Sequence, residues 1–229
     1  MKMAKYICLE GTEGVGKTTQ TQKLVDYLTS QGYKVLQTKE PGTPLEPLTM
    51  TLRGIMLDNQ YDKALTRPAR EFISQAIRSI HLERVIAPAI TEYDYIVQDR
   101  GILSGYAYGV ACGNSFNNIR NMAIQNVQSA NDTNLFDIQP ESIYDFVVYL
   151  RGDSNKGLQK ALAAKQEFTA GDAMESRGNS FIKQVSENMD NYSSYFNTVR
   201  IDVDGLSIEE VHGNILASLN LSKGTFNGK

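Results

Sequence analysis

The residues with the clearest chemical meaning are Gly11–Thr18, which match the pattern G-x-x-x-x-G-K-[ST] at every required position. An apolar run, Tyr6–Leu9, precedes them and a helical pattern, Thr18–Leu28, follows them. Glycines let such a loop turn its backbone N–H groups toward phosphate oxygens, and the positive end of the helix adds to this field. Lys17 is expected to reach the β- and γ-phosphates, and the Thr18 hydroxyl to bind Mg²⁺. The loop therefore predicts Mg²⁺ with ATP, bound by Gly11, Thr12, Glu13, Gly14, Val15, Gly16, Lys17, Thr18 and Thr19.

Elements that would position this loop are visible as strand-like runs alternating with helical patterns. After Tyr6–Leu9 the runs are Tyr33–Thr38, Tyr95–Gln98, Phe146–Leu150 and Thr198–Val203. This alternation predicts right-handed βαβ crossovers and a parallel sheet with its functional loops at the carboxyl ends of the strands. The expected fold is α/β, a P-loop NTPase three-layer α/β/α arrangement with a five-stranded parallel sheet and a mobile lid. We expect one domain over residues 1–229.

Composition limits the classes of function. The chain has 229 residues, 41% hydrophobic and 21% charged, as in an ordinary globular protein. A net charge of −3 gives no basic footprint for nucleic acid. We find no signal peptide and no apolar run long enough to span a bilayer. A cytoplasmic enzyme with no nucleic-acid or membrane partner is the expectation, and two stretches, Cys112–Asn121 and Gln166–Asn179, are predicted to be irregular and mobile.

Further segments carry a resemblance. They are Lys39–Pro44 (KEPGTP), Leu52–Asp58 (LRGIMLD), Arg78–Ile90 (RSIHLERVIAPAI) and Asp99–Tyr108 (DRGILSGYAY). In this order and spacing they resemble the thymidylate kinase family, whose pattern includes R-E-P-G-G-T, L-R-x-L-L-L-D and D-R-x-x-x-S-x-x-A-Y. The resemblance implies Mg²⁺-dependent phosphorylation of dTMP to dTDP by ATP. It also implies a homodimer.

The resemblance assigns roles in phosphate transfer. Two polyanions must meet, so the acceptor phosphate needs its own cations. Arg53 and Arg100 match family positions that hold this phosphate, and a guanidinium binds phosphate bidentately. Asp99, at a strand end, is expected to hold Mg²⁺ through water. We predict Lys17, Arg100 and Arg177 as catalytic residues.

The sugar and base contacts are carried over in the same way. Glu13 matches the carboxylate that faces the 3′-hydroxyl, Tyr108 the ring beside the deoxyribose, and Arg78 the arginine bound to the pyrimidine O4. The full set of expected substrate-binding residues is Glu13, Pro41, Arg53, Phe72, Ser74, Arg78, Arg100, Ser104, Gly105 and Tyr108.

The base site departs from the family pattern. A phenylalanine usually stands four residues before the base-binding arginine, where this chain has Ser74, with Phe72 two residues earlier. Ile77 also replaces a common aspartate, and Lys39 a common arginine. A deoxynucleoside monophosphate kinase of altered base specificity, for example for dUMP, is therefore kept as the alternative.

The segment expected to form a lid also departs from the family pattern. Family members place an arginine in the phosphate loop or in the lid, and here those positions hold Val15 and Ala173. With the lid at approximately 152–179, the nearby cations are Arg177, Lys160, Lys165 and Arg151. We favour Arg177 as the residue that neutralises charge on the transferred group.

Two other classes compete with a kinase. A GTPase-type switch would need a guanine-binding N-K-x-D, but Asn155-Lys156 is followed by Gly157-Leu158. It would also need D-x-x-G after the third strand, which is missing. A P-loop protein that binds nucleotide but no longer transfers phosphate stays open because of the unusual lid.

Overall fold

The computed structural model describes residues 3–131, 139–164 and 172–221. Its single sheet has five strands in the order β2-β3-β1-β4-β5, and every neighbouring pair is parallel. The strands are β1 (Lys5–Glu10), β2 (Val35–Lys39), β3 (Tyr95–Asp99), β4 (Phe146–Arg151) and β5 (Thr198–Asp202). The predicted parallel sheet is confirmed. Lys165, residues 166–171 of the expected mobile stretch and the tail from residue 222 lie outside the described residues.

The helices follow the strands as a βαβ pattern requires. They are α1 (Lys17–Ser30), α2 (Pro47–Leu57), α3 (Arg67–His81), α4 (Ala87–Glu92), α5 (Ile102–Ala111), α6 (Phe116–Ala130), α7 (Ser154–Ala164), α8 (Gly178–Tyr192) and α9 (Ile208–Ser218). The prediction of an irregular stretch at Cys112–Asn121 was wrong from Phe116 onward. Ile119, Ala123 and Val127 recur at steps of four and are buried, so this helix packs one apolar face on the core.

Between α3 and α4 the chain stays helical through a wider π turn, Leu82–Ile86. Pro88 in α4 has no N–H to donate to the carbonyl of Arg84, and its ring would clash with that carbonyl in a regular α-helix. A wider turn removes both problems and keeps the helical direction. Arg78 and the rest of α3 thus precede the distortion.

Alternation along β1 divides the core into two layers. Ile7 and Leu9 face one side of the sheet, where they pack with Leu24 and Leu28 of α1 and with residues of α9. Tyr6 and Cys8 face the other side, which the π turn Leu82–Ile86, α4 to α6 and α8 cover. Each fully buried leucine contributes roughly 1.5–3 kcal/mol relative to exposure. The three-layer prediction is confirmed, with Cys8 as a core residue.

The carboxyl ends of the central strands lie side by side. Leu9 of β1 pairs with Asp99 of β3, and Lys39 of β2 pairs with the same aspartate. Glu10 pairs with Tyr149 on the other side. The loops after β1, β2 and β3 therefore open at one edge. No helix within the described residues is both long and apolar enough to cross a bilayer.

Candidate active site

The phosphate loop has the conformation that its glycines predict. Gly11, Gly14 and Gly16 have φ values of 146°, 68° and 94°. A Cβ on Gly14 would lie 2.0 Å from the carbonyl oxygen of Gly157, so α7 packs directly on the loop. No other residue type fits this contact without moving one backbone or the other.

Lys17 begins α1 and is 7% exposed. Its ammonium donates to the carbonyl oxygen of Thr12 within the loop. Burial, followed by the positive charge of Arg100, lowers the pKa of Lys17 to about 8, although Glu13 and Asp99 oppose this. A charge held in a partly desolvated site interacts strongly with an incoming phosphate.

Thr18 and Asp99 meet at the end of the loop. The Thr18 hydroxyl donates to Oδ2 of Asp99 over 2.6 Å. Oδ1 of Asp99 is buried and has no hydrogen-bond partner among the described residues. An oxygen-only pair of this kind suits Mg²⁺, which usually takes one or two carboxylates and fills its other positions with water and substrate phosphates. The residues therefore fit the ion that the sequence predicts.

Arg100 follows Asp99 in a left-handed conformation, with φ of 63°. Such a conformation costs of order 1–3 kcal/mol in a residue with a side chain and often occurs at functional sites. Its guanidinium donates to the carbonyl oxygen of Gly11 at 2.9 Å, to Ser104 Oγ at 3.2 Å and to Glu13 Oε1 at 2.9 Å. Arg100 is thus tied to both sides of the cleft.

Glu13 lies between Arg100 and Tyr108. Its Oε1 accepts from the Arg100 guanidinium and from the Tyr108 hydroxyl, while Oε2 is buried without a described partner. Burial alone would raise the pKa of Glu13, but the charges of Arg100 and Lys17 outweigh it and lower the pKa. A charged acceptor therefore stands beside the phosphate loop.

Glu10 is a functional residue that the sequence reasoning missed. It is fully buried, and its carboxylate accepts from the N–H of Gly101 at 2.8 Å and of Ser104 at 3.1 Å. The Ser104 hydroxyl donates to the same group. Glu10 therefore fixes the first turn of α5, and with it Arg100. Burial raises the pKa of Glu10 despite the Ser104 bonds.

Arg53 reaches the cleft from α2. Its Nη1 donates to the carbonyl oxygen of Pro41 over 2.6 Å, and burial lowers its pKa. Proline at the first position of α2 and Glu46 at its N-cap define where that helix begins. Arg53 and Arg100 thereby present two guanidinium groups to one cleft.

Arg78 is buried in a network that the sequence reasoning did not predict. Its guanidinium bonds Glu40 Oε2 at 3.1 Å, and Glu40 Oε1 lies 3.0 Å from His81 Nδ1. His81 Nε2 lies 2.8 Å from the hydroxyl of Thr38. Burial would raise the pKa of Glu40, and the charge of Arg78 reverses this and lowers it. Ile77, where the family often has aspartate, is a core residue, so Glu40 is the acidic partner of Arg78.

The acceptor cleft, as we call the hollow between α2, α3 and α5, has a volume of about 380 Å³. That volume falls in the range typical of small-molecule sites. It brings together nine of the expected substrate-binding residues, namely Glu13, Pro41, Arg53, Ser74, Arg78, Arg100, Ser104, Gly105 and Tyr108. Phe72 is not among the residues that line it and is 61% exposed, because it points away from the cleft on α3. Its expected role as a substrate residue is not supported.

Arg177 is also absent from the cleft lining. Its Nη2 donates to Asp62 Oδ1 over 3.0 Å, and Asp62 also accepts from Arg70 at 2.9 Å. Ala173, the position expected for a lid arginine, is fully buried and donates its N–H to the carbonyl oxygen of Leu57. The segment expected to form the lid thus packs against α2 at Ala173, and the structure does not bring Arg177 into the cleft where its expected catalytic role would place it.

A second hollow, which we call the donor groove, lies on the other side of the phosphate loop with a volume of about 290 Å³. It is lined by the loop and α1, by the start of α7, and by the segment after β5, with Lys156 and Lys160 as its cations. Sequence reasoning named Lys160 but missed Lys156 and the segment Val203–Ile208, whose only visible signal was a turn at Asp204-Gly205. The phosphate loop thus lies between two hollows, and Gly14 lines both.

A phosphate loop after the first strand of a parallel sheet, a hydroxyl–carboxylate pair beside it and a cationic second cleft define a P-loop nucleotide kinase. Comparison with known proteins agrees: the family model described as "Thymidylate kinase" matches residues 9–215. The chain belongs to the thymidylate kinase family and is a phosphotransferase.

Named relatives cover most of the chain. A thymidylate kinase from Finegoldia magna is 32% identical over 79% of this chain and 80% of its own length. One from Francisella philomiragia is 33% identical over 69% of this chain and 72% of its own length. One from Francisella tularensis subsp. holarctica is 29% identical over 95% of this chain and 96% of its own length.

Proposed function

We propose that the protein transfers the γ-phosphoryl group of ATP to dTMP, giving ADP and dTDP. The observation that carries this proposal is the phosphate loop between two hollows, one lined by the guanidinium groups of Arg53 and Arg100 among others and one beside α7. Such an arrangement lets a triphosphate on the loop meet a monophosphate held in the acceptor cleft. Family membership and the names of the relatives supply the acceptor.

Catalysis is proposed to rest on positioning and charge. Lys17 binds the donor phosphates, and Arg53 and Arg100 hold the acceptor phosphate in line with them. Thr18 and Asp99 would hold Mg²⁺, which neutralises charge on the β- and γ-phosphates when bound. Cations held in position around the cleft stabilise the charge that develops on the transferred group.

The sugar is proposed to lie between Glu13 and Tyr108. Oε2 of Glu13, buried and without a described partner, is available to accept a hydrogen bond from the 3′-hydroxyl. The Tyr108 ring lies under the Arg100 guanidinium at 5.4 Å, which fixes its plane beside the sugar. A 2′-hydroxyl would meet this ring, so deoxyribose is favoured. Arg78, beside Ser74 and Gly105, takes the pyrimidine O4.

Lys160 is proposed to supply the cation expected of the lid. It lines the donor groove, and the next residue, Ala161, lines the acceptor cleft. This stretch of α7 therefore lies at the junction where the phosphoryl group passes. The homodimer and the cytoplasmic location stay predictions from the sequence.

Coupled ADP release tests the proposal, with dTMP, dUMP, dCMP, dGMP, UMP and no acceptor compared at saturating Mg²⁺·ATP. We expect turnover led by dTMP, loss of activity with EDTA and a background at least about 10²-fold lower without acceptor. Turnover led by dUMP would support altered base specificity instead. ATP hydrolysis that ignores the acceptor would contradict the proposed transfer.

A further inference from the structure

The wall of the acceptor cleft nearest the proposed base carries a carboxylate that phosphate transfer does not use. Glu71 lies on α3, seven residues before Arg78, and both side chains line the cleft. Residues seven apart share one face of a helix. Glu71 is 8% exposed and Arg78 is 3% exposed. One buried acceptor and one buried donor therefore stand in the same wall.

Gln75 hydrogen-bonds both Glu71 and Arg78 and so fixes their relative positions. Its Oε1 accepts from Arg78 Nη1 at 3.2 Å, and its Nε2 donates to Glu71 Oε1 at 2.7 Å. Asn126 Nδ2 donates to the same Oε1 of Gln75 at 2.9 Å, which holds the amide in place. Burial raises the pKa of Glu71, while the Gln75 bond and the charge of Arg78 act in the opposite direction.

Oε2 of Glu71 keeps acceptor capacity toward the cleft. Asn114 Nδ2 reaches it at 3.5 Å, the outer limit of a hydrogen bond. Each carboxylate oxygen accepts about two hydrogen bonds. A buried charged oxygen with one long contact gains from a donor that a ligand brings.

Two glycines of α5 leave room for the side chains of Arg78 and Glu71. A Cβ on Gly105 would lie 2.5 Å from Arg78 Nη2, and one on Gly109 would lie 2.7 Å from Glu71 Oε2. The glycines are one helical turn apart, so α5 offers bare backbone to both groups. A side chain at either position would push the donor or the acceptor out of place.

We propose that Glu71 is a specificity-determining residue, which accepts a hydrogen bond from the ring N3–H of the substrate base while Arg78 donates to the neighbouring O4. This inference rests on the proposed function. Thymine presents an acceptor at O4 beside a donor at N3, and cytosine presents a donor at N4 beside an acceptor at N3. The Arg78–Glu71 order therefore matches thymine and opposes cytosine. Sites that hydrogen-bond a substrate N–H strongly reject analogues without it.

The test compares kcat/KM for dTMP, N3-methyl-dTMP and dCMP in the wild type, Glu71→Ala, Glu71→Gln and the control Glu83→Gln, whose glutamate is exposed just after α3. We expect the wild type to prefer dTMP over N3-methyl-dTMP by about 10²-fold or more. Glu71→Ala should lower kcat/KM for dTMP about 10- to 100-fold and hardly change it for N3-methyl-dTMP. Glu71→Gln should raise the ratio of kcat/KM for dCMP to kcat/KM for dTMP about tenfold, because the glutamine amide can donate a hydrogen bond to N3 of cytosine. Glu83→Gln should match the wild type.

A wild type that uses N3-methyl-dTMP as well as dTMP would overturn the inference and leave the proposed function standing. Equal losses for both substrates in a folded Glu71→Ala variant would also overturn it, because they indicate a structural role only. If Glu71→Ala does not fold, as judged by circular dichroism, the dCMP/dTMP ratio of the isosteric Glu71→Gln decides. Absence of dTMP turnover in the wild type would contradict the proposed function itself.

Discussion

Arg100 donates a hydrogen bond of 2.9 Å to Glu13, which joins the end of β3 to the phosphate loop. The two residues are 87 positions apart in sequence. Because this hydrogen bond joins Arg100 to the phosphate loop, a shift of one moves the other. The phosphate loop and the Arg100 side of the acceptor cleft are thus held in a common frame.

The lowered pKa of Lys17, about 8, predicts a loss of ATP capture in alkaline solution. The charged form binds phosphate, and it is lost as the pH rises through that pKa. We expect kcat/KM for ATP, which reports the free enzyme, to be about tenfold lower at pH 9 than on its plateau near pH 7. Lys17→Arg stays charged and should show no such inflection in whatever activity it keeps. A wild-type profile that is flat to pH 9.5 would contradict this assignment.

Glu10→Gln should weaken dTMP binding more than ATP binding. The amide cannot accept from the Gly101 and Ser104 groups as a carboxylate does, so the first turn of α5 and Arg100 lose their anchor. Hydrogen bonds to a charged group contribute about 1.5–3 kcal/mol, which corresponds to a rise in KM for dTMP of about tenfold or more.

Steady-state kinetics on the folded variant measures this, with exposed Glu92→Gln at the end of α4 as the matched control. An unchanged KM for dTMP in a folded Glu10→Gln protein would show that Glu10 does not position Arg100.

Glu40→Gln should be strongly destabilising. It would leave Arg78 buried without its charged partner, and loss of one member of a buried pair costs about 3–5 kcal/mol. Urea unfolding of this variant can be compared with Glu187→Gln, which breaks an exposed 3.9 Å pair with Lys183 and should change the free energy of unfolding by less than about 1 kcal/mol. If both variants change the free energy of unfolding by similarly small amounts, the Glu40 network does not stabilise the fold as predicted.

Arg177→Ala should leave kcat within about tenfold of the wild type, because the guanidinium is bonded to Asp62 outside the cleft. An arginine acting on the transferred phosphoryl group is worth about 10³–10⁵ in rate. Lys160→Ala should lower kcat about 10²-fold or more, and exposed Lys183→Ala serves as the control. A 10³-fold loss with Arg177→Ala would restore the role expected from the sequence.

The phosphate loop and the sheet were predictable because their signals are local. Gly11–Thr18 carries its chemistry in eight consecutive residues, and the central strands β1, β3 and β4 each contain one apolar run. The networks of Glu10 and Glu40 were not, since their partners lie 91 and 38 positions away and depend on how helices dock. Phe72 shows the same limit. It lies on α3 only two residues before Ser74, but two residues rotate a helix by more than half a turn, so its ring points away from the cleft.

Direct transfer of label from [γ-³²P]ATP to dTMP is the decisive measurement for the proposed kinase activity. Products would be separated by chromatography for the wild type and for Lys17→Ala, with Mg²⁺ present. We predict labelled dTDP from the wild type, formed in step with ADP, and at least about 10²-fold less from Lys17→Ala. Label released only as inorganic phosphate, or found on no nucleotide when dTMP is present, would contradict the proposed kinase.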